Sequence, residues 1–268
     1  MKKRTLVGIF DSGVGGLTVA RKVEEGLPET PFIYFGDTLH VPYGERRPEE
    51  VVGLIDNICH HLIAAGAEVL VMACNTSSAL AYEHVRAWSE VPVIGIIAEA
   101  AKAAVAATRC GHIGVIANML TASSGAYESS CAEAANGMEL PFEIDVTPVG
   151  CPKLVPLIER GEIEGPNVEA ALREYWAPMA KNNVDTIVLG CTHYPFVRPV
   201  LERIAGPGVT VIDPAYYVVE RLKSLGFGES PKTPVRRIYQ ASGSAEQFAK
   251  VGSSLLGRSI GPVEHISL

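Results

Sequence analysis

Two stretches of this chain set a thiol among hydrogen-bonding residues: Ala73-Cys74-Asn75-Thr76-Ser77-Ser78 and Gly190-Cys191-Thr192-His193-Tyr194-Pro195. A cysteine ionises at about pH 8.5, close to operating pH, so it suits reversible proton transfer. Two such groups on opposite sides of one carbon match the inversion of a stereocentre. One thiolate removes the α-proton from one face, the opposing thiol supplies a proton to the other, and the roles exchange in reverse. Such a pair titrates as a coupled unit. Each cysteine taken singly has a plainer reading, because free cysteine is often just a small buried apolar residue.

If the backbone stays extended past each cysteine, alternation puts Thr76 on the face of Cys74 and His193 on the face of Cys191. Histidine beside a thiol stabilises the thiolate or relays its proton. Asn75 and Thr76 can bind a carboxylate or an ammonium group, or cap a following helix. Two rivals stay open for Cys191 and His193. One is half of a zinc site, which needs two further ligands where no second pair shows the right spacing. The other is a cysteine nucleophile with a histidine base.

Phe10-Asp11-Ser12-Gly13-Val14-Gly15-Gly16-Leu17 reads as a strand end turning into a helix. Its glycines allow a sharp turn and close approach of a ligand, and free amides at a helix start suit an anion. The plainer reading is a turn capped by Asp11 or Ser12. It lacks the Gly-Lys-Ser/Thr of a phosphate-binding loop and misses the dinucleotide fingerprint. Gly36-Asp37-Thr38 and Pro42-Tyr43-Gly44 read either as a ligand-side loop or as an ordinary Pro/Gly turn. Glu159 closes an apolar helical stretch that begins at Cys151, and reads on its own as a solvated charge. Removing an α-proton without a cofactor demands preorganised donors in a dry site. Amides near Ser12, Gly13, Asn75 and Thr76 and the hydroxyls of Thr76, Thr121 and Thr192 are candidates, with Asp11 and His193 tuning the neighbouring cysteines. No lysine stands at the polar end of an apolar strand, where a pyridoxal aldimine would be expected.

The elements that must hold these residues follow from hydrophobic periodicity. The pattern predicts strands at 5–10, 31–35, 69–73 and 91–97, with helices at 17–26, 48–66 and 77–89 between them. It restarts with a helix at 99–108, then strands at 112–117, 142–148, 186–189 and 209–212 and helices at 124–136, 151–160, 166–182 and 215–225. A strand at 237–241 and a helix at 245–256 close the chain. This order implies an α/β fold of parallel sheets with helices on both faces. Residues 69–76 and 186–193 share a layout: an apolar strand, a small residue, cysteine, then polar residues. That is a weak internal repeat, two related α/β units each ending one strand on a cysteine. With no Pro/Gly/Ser-rich linker the units should pack closely, and ligands of open α/β sheets bind outside the carboxyl ends of the strands.

Composition is ordinary for a globular protein, 47% hydrophobic and 20% charged over 268 residues, which allows one or two domains. A net charge of −7 and the absence of a basic stripe argue against a nucleic-acid partner. An anionic substrate would need fixed local dipoles to hold it. No apolar run reaches the roughly 18 residues of a membrane span. The basic start Lys2-Lys3-Arg4 leads into too short an apolar run for a secretion signal, so a cytoplasmic protein is expected. The six cysteines form no C-x-x-C pair and should be free thiols.

The stretches FDSGVGGL (10–17), GDTLHVPYGER (36–46), ACNTSSA (73–79), PVIGII (92–97), CPKLVPLIE (151–159) and GCTHYP (190–195) run over most of the chain. In that order they closely resemble the glutamate racemases of the aspartate/glutamate racemase superfamily. The resemblance implies interconversion of L- and D-glutamate with no cofactor (no pyridoxal phosphate, metal or nucleotide), the D-glutamate entering bacterial peptidoglycan. It implies Cys74 and Cys191 as the acid/base pair, assisted by Asp11, Glu159 and His193. It places substrate contacts at Asp11, Ser12, Pro42, Tyr43, Gly44, Cys74, Asn75, Thr76, Thr121, Cys191, Thr192 and His193. It also implies a homodimer of chains with two pseudo-symmetric doubly wound α/β domains, 1–98 plus 213–268 and 99–212, and an active site in the cleft between them. The chain departs from the family pattern at Asn118, where threonine is usual, at Ala98-Glu99-Ala100, and near Pro214, where serine is usual. The alternatives are a sister racemase acting on aspartate or a hydantoin and, from another class, a two-lobed binding protein, which would not need thiols at both strand ends.

Overall fold

The computed structural model describes residues 6–228 and 235–268. The expected strand start at Thr5 and the basic Lys2-Lys3-Arg4 lie outside the described residues. The chain divides into two compact units, 1–96 with 215–268, and 97–214.

The first unit contains β1 (Val7–Asp11), α1 (Leu17–Gly26), β2 (Phe32–Gly36), α2 (Pro48–Ala64), β3 (Val69–Met72), α3 (Asn75–Trp88) and β4 (Val93–Gly95). The second contains α4 (Ile96–Ala107), β5 (His112–Ala117), α5 (Met119–Ser123), α6 (Ala126–Ala135), β6 (Asp145–Gly150), α7 (Leu154–Glu159), α8 (Pro166–Lys181), β7 (Thr186–Gly190), α9 (Arg198–Ala205) and β8 (Thr210–Ile212). The chain then adds α10 (Pro214–Ser224), β9 (Arg237–Ala241), α11 (Ala245–Leu256) and β10 (Val263–His265) to the first unit.

Both sheets are parallel throughout. The first runs β10-β9-β2-β1-β3-β4 and the second β6-β5-β7-β8. Strands covered on both faces must be apolar along their whole length, and every residue of β1, β2, β3 and β7 is buried. Helix α2 shows how the cover is made. Pro48 starts it at a position where a missing N–H costs nothing, and Val51, Ile55, Ile58, Cys59 and Leu62 form one apolar stripe onto Phe10, Phe35 and Met72. Within each unit the first four strands adopt one order: second, first, third, fourth. Neighbouring strands whose connections leave in opposite directions open a crevice at their carboxyl ends, here between β1 and β3 and between β5 and β7. Cys74 and Cys191 follow β3 and β7.

The parallel α/β reading of the sequence is borne out, with local corrections. The strand expected at 91–97 pairs with β3 only over Val93–Gly95, and helix α4 begins at Ile96. A Cβ on Gly95 would lie 2.7 Å from the Tyr82 ring, so the close packing of α3 requires glycine there. The strand expected at 142–148 is displaced to Asp145–Gly150 and carries Pro148. It lies at the sheet edge, where a missing N–H is tolerated. Helices α5 and α9 and strand β10 are not among the elements expected from the sequence. Strand β10 is three residues long and exists by pairing with β9.

Candidate active site

In the first unit β1 delivers the buried Asp11 to its carboxyl end, and the chain turns over 12–16 into α1. Asp11 Oδ1 accepts the Gly13 amide at 2.8 Å, a local turn-forming bond. That amide, a candidate anion donor by sequence, is therefore already engaged. The Tyr34 hydroxyl, from β2, donates to the Gly13 carbonyl at 2.8 Å. A Cβ on Gly16 would lie 2.5 Å from Asp11 Cβ and 2.8 Å from the Tyr34 hydroxyl oxygen, so the turn closes only around glycine. Because β1 and β3 are neighbours, this turn brings Ser12 Oγ to 3.5 Å from Cys74 Sγ, and either group can donate.

Cys74 is extended and α3 starts at Asn75. The expected alternation between Cys74 and Thr76 therefore fails: Asn75 and Thr76 lie in the first helical turn, both buried. Burial pushes the Cys74 thiol pKa up and the Asp11 carboxylate adds to this, while Ser12 and Ser77, as donors to the thiolate, work the other way.

The loop after β2 is organised by the buried Asp37. It accepts the Tyr43 hydroxyl at 2.6 Å and the Ser242 hydroxyl at 2.6 Å, and pairs with His40 Nδ1 at 2.8 Å. Tyr43 is buried in the core and its hydroxyl serves this network, with its pKa pushed far up by burial and by Asp37. Pro42 and Gly44 on either side are exposed.

In the second unit Cys191 follows β7 and His193 is helical, so a turn rather than strand alternation joins them. Cys191 Sγ lies 3.9 Å from His193 Nδ1, and His193 Nε2 lies 3.1 Å from Glu159 Oε1 at the end of α7. With the imidazole neutral and its Nε2–H donated to the carboxylate, Nδ1 presents its lone pair to the thiol. Glu159 is half-exposed yet paired, so it is more than a solvated charge. Thr192 is buried beside Cys191. Asn118, after β5, caps α5 by accepting the Thr121 amide at 2.8 Å, and Thr121 is buried. The departure at Asn118 thus has a structural role, fixing the turn that carries Thr121.

The remaining thiols have other duties. Cys59, Cys131 and Cys151 are buried with pKa values raised by burial, Cys131 to about 12, and Cys151 donates to the Val149 carbonyl at 3.3 Å. The cysteines are free. Among the described residues no group of three or more His, Cys, Asp or Glu could hold a metal ion, which leaves the zinc reading of Cys191 and His193 without ligands. No helix among them is long and apolar enough to cross a membrane. Tyr34 is the residue the sequence concealed: it looks like any core aromatic, and only the β1–β2 register shows its hydroxyl meeting the Gly13 turn.

The family model for Asp/Glu/Hydantoin racemase matches residues 15–222. The chain belongs to the Asp/Glu/hydantoin racemase family. The resemblance carried by its six motifs is thereby borne out. A glutamate racemase of Desulforudis audaxviator is 43% identical over 272 residues, spanning 98% of this chain and 97% of that relative. The structure of a glutamate racemase isoform from Bacillus anthracis superposes with a TM-score of 0.89 at 30% identity, covering 99% of this chain and 98% of that one. The glutamate racemase of Francisella tularensis, solved in complex with D-glutamate, gives a TM-score of 0.88 at 29% identity over 100% of this chain and 98% of that one. In this member of the racemase family, each unit holds one buried thiol at the carboxyl end of its third strand. One thiol has a hydroxyl beside it and the other a histidine–glutamate pair.

Proposed function

We propose that this racemase interconverts L- and D-glutamate by a two-thiol acid/base mechanism without a cofactor. The scheme asks for one thiol on each face of the substrate α-carbon. The thiolate on one side takes the α-proton, and the thiol on the other gives its own proton to the opposite face. The observation that carries this reading is the matched pair of thiol sites, Cys74 after β3 and Cys191 after β7, each with a proton-handling or hydrogen-bonding partner. Ser12 supports a thiolate on Cys74. His193, held in one tautomer by Glu159, relays the proton of Cys191. Asp11 disfavours a second negative charge near Cys74 and so helps keep that thiol protonated until a substrate needs it.

Glutamate as substrate is supported by the three relatives described above, each named a glutamate racemase. Asp11, Ser12, Pro42, Tyr43, Gly44, Asn75, Thr76, Thr121 and Thr192 complete the proposed binding surface. The buried hydroxyls of Thr76, Thr121 and Thr192 would hold the carboxylates and stabilise charge developing at Cα. The product D-glutamate would serve peptidoglycan synthesis. Circular dichroism of L-glutamate and L-aspartate with purified, cofactor-free protein tests this directly. Loss of ellipticity with glutamate alone is expected. Racemisation of aspartate instead would make the chain a sister enzyme, and no change with either would remove the proposal.

A further inference from the structure

We propose that Ser77 is a positioning residue for Cys74, closing a sulfur version of the helix capping box that holds the thiolate when it forms. This rests on the reading of Cys74 as an acid/base. In a capping box the N-cap side chain accepts the amide of the third helical residue, whose own side chain reaches back to the cap. Cys74 occupies the N-cap of α3 in extended conformation, at φ −72° and ψ 126°, and Ser77 is the third residue of that helix. The cap bond to the sulfur is unmade in the resting protein, and the spacing places both the amide and the hydroxyl of Ser77 in the first turn beside the cap.

The hydroxyl itself is the second observation. Ser77 is fully buried, and its Oγ has no hydrogen-bond partner. A buried hydroxyl without a partner costs stability and calls for an explanation. Its neighbour Ser78 has an ordinary one, donating to the Met72 carbonyl at 3.1 Å. The group beside Ser77 that changes charge in the reaction is Cys74. With the thiol protonated, the hydroxyl has little to donate to. Once Cys74 ionises, the sulfur becomes a strong acceptor at the positive end of a 14-residue helix, and the hydroxyl rotates onto it. As donors to the thiolate, the amide and hydroxyl of Ser77 both favour the charged form, against burial and Asp11, which push the Cys74 pKa up. Ser12 Oγ, at 3.5 Å, supplies a further donor to the same sulfur. Cys191 is served differently, by His193.

The test is iodoacetamide alkylation of Cys74, followed by peptide mass spectrometry across pH, in the native protein, Ser77→Ala and Ser77→Thr. A hydrogen bond to a charged group is worth enough that its loss should slow alkylation below the thiol pKa about tenfold. The alkylation profile of Ser77→Ala should move to higher pH, and kcat should fall about tenfold with KM little changed. Its melting temperature should stay level or rise, because the deleted hydroxyl has no partner in the resting protein. Ser77→Thr, which keeps the hydroxyl, should restore both profiles. An unaltered alkylation profile in Ser77→Ala overturns the inference, whether or not stability changes. The acid/base reading of Cys74 fails separately, if Cys74→Ser still racemises glutamate, because alkylation reports on the thiol alone.

Discussion

Tyr34→Phe isolates one hydroxyl that organises the Cys74 side of the site. Tyr34 is fully buried, and its hydroxyl donates to the buried Gly13 carbonyl at 2.8 Å. Burial and the nearby Asp11 carboxylate push its pKa far up, so it stays a donor at every working pH. Phenylalanine keeps the ring and its packing on Phe248 and Tyr239, whose centroids lie 5.9 and 6.4 Å away. What changes is the Gly13 carbonyl, left as a buried acceptor with that partner gone. A typical hydrogen bond contributes about 0.5–1.5 kcal/mol net, but stranding a buried group costs about 1–3 kcal/mol. Gly13 is buried, so the higher range applies and a loss of about 2 kcal/mol is expected. The functional cost follows from geometry. Ser12 precedes Gly13, and its 3.5 Å contact with Cys74 Sγ depends on where this turn places it. A turn that relaxes by half an ångström loses it, and kcat should fall roughly tenfold. Urea unfolding followed by circular dichroism gives the first quantity, and racemisation progress curves from each enantiomer give the second. A variant as stable as the native protein, with kcat within about a factor of two, would refute this account of the turn.

Further expectations concern the other contacts. Glu159→Gln should leave stability within about 0.5 kcal/mol, because the pair with His193 is half-exposed. It should nevertheless lower kcat several-fold by loosening the histidine tautomer; an unchanged kcat in steady-state assays would exclude the relay. Asp37→Ala strands the buried hydroxyls of Tyr43 and Ser242 and should cost about 3 kcal/mol in urea unfolding, with a raised KM. A loss below about 1 kcal/mol would contradict the network. Stability should also decline under alkaline conditions. Folded Cys131 holds its proton up to about pH 12, with burial as the main cause, whereas the unfolded thiol ionises from its ordinary value. The unfolded state therefore binds fewer protons, so the contribution is intact below about pH 8.5 and is lost as pH rises toward 12. Cys59 and Cys151, also raised by burial, steepen the fall. Urea midpoints measured from pH 8 to 11 that stay level would contradict it.

The thiols were legible in the sequence because of the sheet that carries them. Strands buried on both faces must be unbroken apolar runs, so Val69–Met72 and Thr186–Gly190 stand out, and the change to polar residues marks where the chain leaves the core. The backbone beyond each cysteine was not legible. Alternation presumes an extended chain, and here α3 begins at once after Cys74 while a turn brings His193 back to Cys191. Contacts between distant segments were hidden for the same reason. Asp37 meets Ser242 only because β9 returns to pair with β2. Tyr34 sits in an apolar run that gives no hint of its hydroxyl's role, and β10 is too short to have a period.

The central claim is that both thiols are needed, and proton NMR of glutamate racemisation in D2O tests it most directly on the native protein, Cys74→Ser and Cys191→Ser. The native enzyme should place deuterium at Cα of the product, and each single variant should lose racemisation by about a hundredfold or more, the scale of a lost general acid or base. Near-native turnover in either variant, or product formed without solvent deuterium, would contradict the two-thiol mechanism.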